Sequence, residues 1–199
     1  MDFSVEMIAE ARRRFPAIPF EQGDVEALPL ADESQDAVLS NIVLFHVTDP
    51  FRAMQEAFRV LVPGGTFAFS QWLGPDRSEC YRMLFDVLGA HADLSRSDPA
   101  PNAFALSDEA RAGEMMQAAG FDDISAEQVP NVLHAAGPSF HDFFMTFGVR
   151  VPHLIDRQDE AVRQRIRTEI NAGAARYLSD GVYRVPMPSL VVSGKRPVG

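Results

Sequence analysis

The chain has 199 residues, of which 46% are hydrophobic and 23% charged, and this composition predicts one globular domain and excludes wholesale disorder. The formal net charge of −10 disfavours binding to nucleic acid or anionic lipid, because phosphate groups would be repelled. A small-molecule or neutral hydrophobic ligand fits this charge better. Cys80 is the only cysteine, which excludes an intrachain disulfide and a cysteine-based zinc site and predicts a reducing, cytoplasmic setting.

The N-terminal residues predict a helix followed by strands. Ser4 is a good helix N-cap, and Pro16 predicts that the helix ends near Phe15. Residues 18–21 are predicted to form a short strand. Residues 37–45 are an almost continuous apolar run, which predicts a strand buried on both faces of a parallel sheet. No apolar run approaches bilayer length, and the first residues lack the order of a secretory signal.

The middle of the chain predicts right-handed crossovers between parallel strands. Asp49 and Pro50 mark a helix start, and the following apolar residues fall on one face. Pro63-Gly64-Gly65 ends that helix, and residues 66–72 form the next strand. Strands and helices that alternate at these spacings predict an α/β fold.

The C-terminal half has a different pattern. Its predicted elements are a helix around Tyr81 and Phe85, a helix from Ser107 to Gly120, a strand at 124–129, a stripe of four phenylalanines, a long helix at about 159–178 and a strand at 189–194. The stripe consists of Phe140, Phe143, Phe144 and Phe147. Its two open interpretations are an apolar ligand lid and ordinary core packing.

Several segments, taken in order, resemble class I S-adenosylmethionine-dependent methyltransferases. Residues 2–7 (DFSVEM) resemble the end of the second strand of that family. Residues 23–30 (GDVEALPL) and 32–38 (DESQDAV) are similar to its third-strand loop and fourth strand, and residues 61–66 (LVPGGT) to the turn into its fifth strand. Residues 118–121 (AAGF) extend the match. Within that family, these segments most resemble the small-molecule methyltransferases of ubiquinone and menaquinone biosynthesis.

The resemblance implies a fold, a cofactor and a reaction. The fold would be α/β, a Rossmann-like and mostly parallel sheet that lacks the usual first strand. Residues 1–199 would form one methyltransferase-like domain, with residues 74–104 and 138–180 as helical lid segments within it. The cofactor would be S-adenosylmethionine, and the acceptor a small hydrophobic or aromatic molecule. We expect no nucleic-acid or membrane partner.

The resemblance also implies residues on the adenosine side of the cofactor. Asp2 would accept both ribose hydroxyls, or be a solvated acid; Phe3 would pack on adenine, or be a core phenylalanine. Asp24 would accept from the adenine amine while the Val25 amide meets a ring nitrogen; the alternative for Asp24 is a turn cap.

Two further residues would lie near the reacting end. Asn41 would reach the amino-acid portion of the cofactor, or be a buried, satisfied asparagine. His46 would orient an acceptor hydroxyl or act as general base, and its alternative is a structural role. The other histidines have no metal-ligand spacing, so no metal is predicted.

The glycine-rich turn of the family does not occur in these 199 residues. In the family it precedes the equivalent of Asp2. The open explanations are a start site assigned too late, a shortened protein, or a partner chain that carries the missing part. We therefore expect a homodimer or an element-swapped dimer. The alternatives to an enzyme are a non-catalytic remnant that acts as a dimerisation or interaction module, and a binding protein for a hydrophobic ligand.

Overall fold

The computed structural model describes residues 1–99 and 102–198, which form two compact units. Of the described residues, the first unit contains 1–71, 102–127 and 190–198. The second unit contains 72–99 and 128–189. In chain order the elements are α1 (Val5–Arg14), β1 (Gln35–Asn41), α2 (Pro50–Val60), β2 (Leu61–Trp72), α3 (Glu79–His91), α4 (Glu109–Ala118), β3 (Asp122–Val129), β4 (Val132–Ala136), α5 (Phe140–Met145), α6 (Arg150–Asp156), α7 (Glu160–Ala174), β5 (Leu178–Ser179), β6 (Val182–Pro186) and β7 (Ser189–Lys195). Short 3-10 turns cover Leu94–Arg96 and Ala175–Tyr177.

A four-stranded sheet has the order β1-β2-β7-β3. β1 and β2 are parallel. β7 runs against β2, because the Gly64 amide donates to the Arg196 carbonyl at one end and the Leu73 amide to the Pro188 carbonyl at the other.

β3 also runs against β7. Asp123 near the start of β3 forms an ion pair with Lys195 at the end of β7, and Ser125 contacts Ser193 further along. β1, β2 and β3 therefore share one direction, which confirms the predicted α/β fold with a mostly parallel, Rossmann-like sheet.

One face of β2 carries the core of the first unit. Phe67 and Phe69 are buried there, and Phe67 stacks on Phe121 with ring centroids 5.4 Å apart. Phe58 of α2 meets Phe121 edge-on at 5.3 Å. Gly120 allows this approach: its φ is +105°, and a Cβ there would lie 2.9 Å from the Phe58 ring. Helix α2 and the end of α4 are thereby held on the same face.

Near the N-terminus one predicted strand forms with a different end and burial, and another does not form. The strand expected at 37–45 ends at Asn41, and it is largely exposed, with Leu39 79% exposed. In the described sheet β1 is the end strand, so it has a neighbour on one side only. Residues 18–21 form no strand; the chain makes one parallel bridge, between Asp2 and Gln22. Pro19 has no amide proton to donate to a strand ladder.

The predicted helix boundaries need smaller corrections. Helix α1 has the expected Ser4 cap, and α2 has the expected Asp49 cap. Helix α4 is capped by Asp108 rather than by Ser107, because the Asp108 carboxylate accepts from the Arg111 amide while the Ser107 hydroxyl donates to the Phe104 carbonyl. The long helix predicted to reach 178 ends at Ala174 and continues as a 3-10 turn.

The second unit has its own sheet and core. Strands β4, β6 and β5 form an antiparallel sheet that the sequence analysis did not predict. Helices α3, α5 and α7 pack with it around a buried apolar cluster that includes Phe140 and Phe144. For these two phenylalanines the core interpretation is correct, whereas Phe147 is 41% exposed.

Candidate functional site

The Asp2 segment lies beside residues 21–23. The Asp2 amide donates to the Glu21 carbonyl at 3.2 Å, and the Gly23 amide donates to the Asp2 carbonyl at 3.0 Å. One carboxylate oxygen of Asp2 accepts from the Ser4 amide at 2.8 Å, directly before α1. A carboxylate has about four acceptor positions, so capacity for a ligand hydroxyl remains. Asp2 is half-buried, so it is neither a fully solvated acid nor a core residue.

Asp24 comes directly after Gly23, so the structure brings together the two segments that carry the predicted adenosine-side acids. The Asp24 Oδ1 atom accepts from the Glu26 amide at 2.9 Å, and its carbonyl accepts from the Ala27 amide. The turn-cap role of Asp24 is therefore present in the structure, and it uses one carboxylate oxygen. Val25 is half-buried within this turn.

The structure excludes one of the two interpretations of Phe3, that of a core phenylalanine. It is 74% exposed, so it is not a core residue. The Gln22 side chain donates to the Phe3 carbonyl at 3.1 Å, which holds the Phe3 backbone beside the segment that leads to Asp24. An exposed phenyl ring is accessible to a flat heterocycle.

Glu26 joins the Asp24 turn to the loop after His46. Its Oε1 atom accepts from the amides of Thr48 at 2.8 Å and Asp49 at 2.9 Å, at the N-terminus of α2. A carboxylate that accepts from amides at a helix N-terminus is also stabilised by the helix dipole. The turn and the loop are thereby fixed against each other.

A second, buried anchor holds the rest of the 24–32 loop against α2. The Glu56 side chain is 4% exposed and accepts from the Leu28 amide at 2.8 Å. Arg59 contacts Glu56 and donates to the carbonyls of Leu28 at 2.9 Å and Leu30 at 2.8 Å. The hydrogen bonds from Arg59 lower the pKa of Glu56, so the charged form is favoured despite its burial. Arg52 adds a second cation to Glu56.

This anchor was not predicted from the sequence. The available signal was the spacing of Arg52, Glu56 and Arg59 on one helix face, together with a glutamate where an apolar side chain would be expected. The carbonyl partners lie 29 and 31 residues away from Arg59, so spacing alone does not reveal them.

Asn41 ends β1 opposite Ser70 of β2. The Ser70 hydroxyl donates to Asn41 Oδ1 at 2.6 Å and accepts from the Ile42 amide at 3.1 Å. Asn41 is exposed, so the buried-asparagine interpretation is wrong. Ile42 has φ +56°, a left-handed conformation that is costly for a β-branched residue. Strain of this kind is concentrated at ligand sites.

His46 is placed at the exposed turn after this strained residue. Its amide donates to the Val43 carbonyl at 2.8 Å, and its ring centroid lies 3.8 Å from that of Phe45. The side chain is exposed, as access to an acceptor would require. Through Glu26, the loop that carries His46 is tied to the Asp24 turn.

In the parts of the chain that the structure covers, no group of three histidine, cysteine or acidic residues is arranged to hold a metal ion. None of the helices described there is long and apolar enough to cross a membrane.

Comparison with known proteins finds relatives by sequence and by structure. Residues 1–69 match the family described as a methyltransferase domain. The demethylmenaquinone methyltransferase of Renibacterium salmoninarum is 32% identical over 152 residues, which cover 71% of this chain and 64% of that protein. The chain thus spans less than two thirds of the length of this relative.

Solved structures show the same fold. The YcgJ protein of Bacillus subtilis superposes with a TM-score of 0.61 at 17% identity, over 99% of this chain and 81% of that one. Phosphoethanolamine N-methyltransferase 2 of Haemonchus contortus, solved with S-adenosyl-L-methionine, gives a TM-score of 0.53 at 15% identity over 98% and 42% of the two chains. At such identities the likeness shows the fold alone. The sequence relatives and these structures together support the assignment of the chain to the class I S-adenosylmethionine-dependent methyltransferases.

Proposed function

We propose that this chain binds S-adenosylmethionine in its first unit and transfers the methyl group to a small hydrophobic or aromatic acceptor. The observation that carries the proposal is the joining of three segments, around Asp2, Asp24 and His46, by the Asp2 bridge and the Glu26 carboxylate. S-Adenosylmethionine is the cofactor of the family. A non-catalytic role has no comparable observation in its favour.

The residues present fit an adenosine group. Asp2 would accept from the ribose hydroxyls, and Asp24 from the adenine amine with the oxygen that does not cap the turn. The exposed ring of Phe3 would cover adenine, and the Val25 amide would meet a ring nitrogen. The net charge of −10 agrees with a cationic cofactor rather than an anionic one.

The reacting end would be formed by Asn41 and His46. S-Adenosylmethionine supplies a methyl group already activated by its sulfonium centre, so the protein chiefly aligns the acceptor and excludes water. Asn41, held by Ser70, would orient the amino-acid portion. The exposed His46 imidazole would take the proton that an acceptor hydroxyl releases as its oxygen forms the new bond to carbon.

Three further expectations accompany the proposal. The role of residues 74–104 and 138–180 as lid segments of one domain stays a prediction. We propose a homodimer, supported by apolar side chains exposed on the first unit, among them Leu39, Val198 and Phe3. We also propose a cytoplasmic location, where the buried thiol of Cys80 would stay reduced.

Calorimetric titration with S-adenosylhomocysteine tests the proposed cofactor site. Asp2→Ala and Asp24→Ala should each weaken binding by about ten- to a hundredfold, because a hydrogen bond to a charged group contributes about 1.5–3 kcal/mol. Asp36→Ala, which removes an exposed acid from β1, is the control and should bind like the wild type. Equal affinity of all four proteins would contradict the assignment of Asp2 and Asp24.

A further inference from the structure

A cavity of about 200 Å³ lies in the first unit. Its walls come from the loop after β1, the start of α2, the end of β2, the loop before α4 and α4 itself. The main lining side chains are Leu44, Phe45, Leu106, Met115, Gln71 and Arg111. The proposed cofactor residues Asp2, Asp24 and Asn41 do not line it.

Gln71 is the buried polar side chain of this lining. It is 1% exposed, and its Nε2 atom donates to the Ala103 carbonyl at 2.8 Å. Its Oε1 atom is buried and has no hydrogen-bond partner among the described residues. Exchanging the amide atoms would place an oxygen against the Ala103 carbonyl, so the orientation is fixed. An unpaired buried acceptor is costly, and a donor from a ligand would satisfy it.

The cavity is separate from the Asn41 cluster. Gln71 follows Ser70 in β2, and successive side chains of a strand point to opposite faces. Ser70 contacts Asn41 on one face, whereas Gln71 follows Phe67 and Phe69 on the other, where the Phe67 ring stacks on Phe121. The cavity therefore belongs to the face that holds the core of the first unit.

We propose that this cavity is a binding site for a small, mainly apolar, ring-sized molecule that carries one O–H or N–H donor for Gln71 Oε1. Its volume is comparable to that of an apolar cavity of about 150 Å³ that accommodates benzene in another protein. Arg111 is exposed, so solvent screens its charge and the ligand need not be an anion.

Phenol and toluene are the matched probes, since they differ in the donor and little in size. Each is titrated into the full chain without any cofactor, and binding is followed by amide chemical shifts. Phenol should bind about tenfold more tightly than toluene, as expected for one hydrogen bond of ordinary net strength. The amides around Ala103 and Leu106 should shift.

Gln71→Met removes the acceptor and keeps the length of the side chain. It should abolish the preference for phenol and leave toluene binding intact. Gln117→Met, which changes an exposed glutamine of α4, should keep the preference. Leu106→Trp should fill the cavity and remove binding of both probes.

Several results would overturn the proposal. They are equal affinity of wild type for the two probes, shifts confined to residues outside the cavity, or no binding of either probe at millimolar concentration. The comparison of the probes on wild type decides the matter even if a variant fails to fold. Since the titration contains no cofactor, failure of S-adenosylmethionine binding would leave this result unaffected.

Discussion

Glu56 offers the sharpest test of how the candidate site is held together. Glu56→Ala removes a carboxylate that accepts from the Leu28 amide and from Arg52 and Arg59. Leaving the Leu28 amide unpaired costs about 1–3 kcal/mol. Breaking a fully buried ion pair costs about 3–5 kcal/mol, but Arg59 is 31% exposed and keeps its carbonyl partners. We therefore expect a loss of about 2–4 kcal/mol in the free energy of unfolding.

The assay is urea unfolding followed by circular dichroism. With a slope of about 2 kcal/mol/M, the midpoint of Glu56→Ala should fall by about 1–2 M. Glu10→Ala is the matched control, because Glu10 also contacts two arginines on its own helix, Arg13 and Arg14, but is 41% exposed. Such surface pairs contribute little, so its midpoint should not move. Equal midpoints for the two variants would refute the buried anchor.

Three further outcomes follow from particular residues. The arginine partners of Glu56 lower its pKa in the folded protein. The stability that Glu56 contributes is therefore present above the ordinary pKa of about 4.3 and is lost as the pH falls through the lowered folded value. Glu56→Gln should lose less stability than the wild type in urea melts taken across this pH range. Gly120→Ala should destabilise by about 1–3 kcal/mol in urea melts, since φ is +105° and the new Cβ meets Phe58, whereas Gly89→Ala, with open space around it, should not destabilise. Burial raises the pKa of the Cys80 thiol to about 12, so a thiol reagent should label it only in denaturant, and rapid labelling of the native protein would contradict its burial.

Local signals predicted local structure well. The Ser4 and Asp49 caps depend only on the residues that follow them, and both were predicted correctly. The burial of β1 was predicted wrongly, because burial depends on neighbouring strands rather than on an apolar run. The β4–β6 pairing was not predicted, since its two short strands are far apart in the sequence.

In the candidate site, too, some features could be predicted from the sequence, whereas others depend on residues far apart in the chain. Asp2 and Asp24 were identified from a resemblance, and the structure brings their segments together through backbone hydrogen bonds. Ser70 was not singled out, because its role depends on being opposite Asn41 in a parallel register that the sequence does not fix. The resemblance therefore identified candidate ligand contacts, whereas the residues that position them required the structure.

The central claim, that Asp2, Asp24 and Asn41 surround one cofactor site, is tested most directly by amide chemical shifts during titration with S-adenosylmethionine. We predict saturable shifts at Phe3, Val25 and the turn from Ile42 to His46, and none in residues 122–127 of β3, at the opposite end of the sheet from β1. An absence of shifts at high micromolar cofactor, or shifts concentrated in those residues of β3, would contradict this claim.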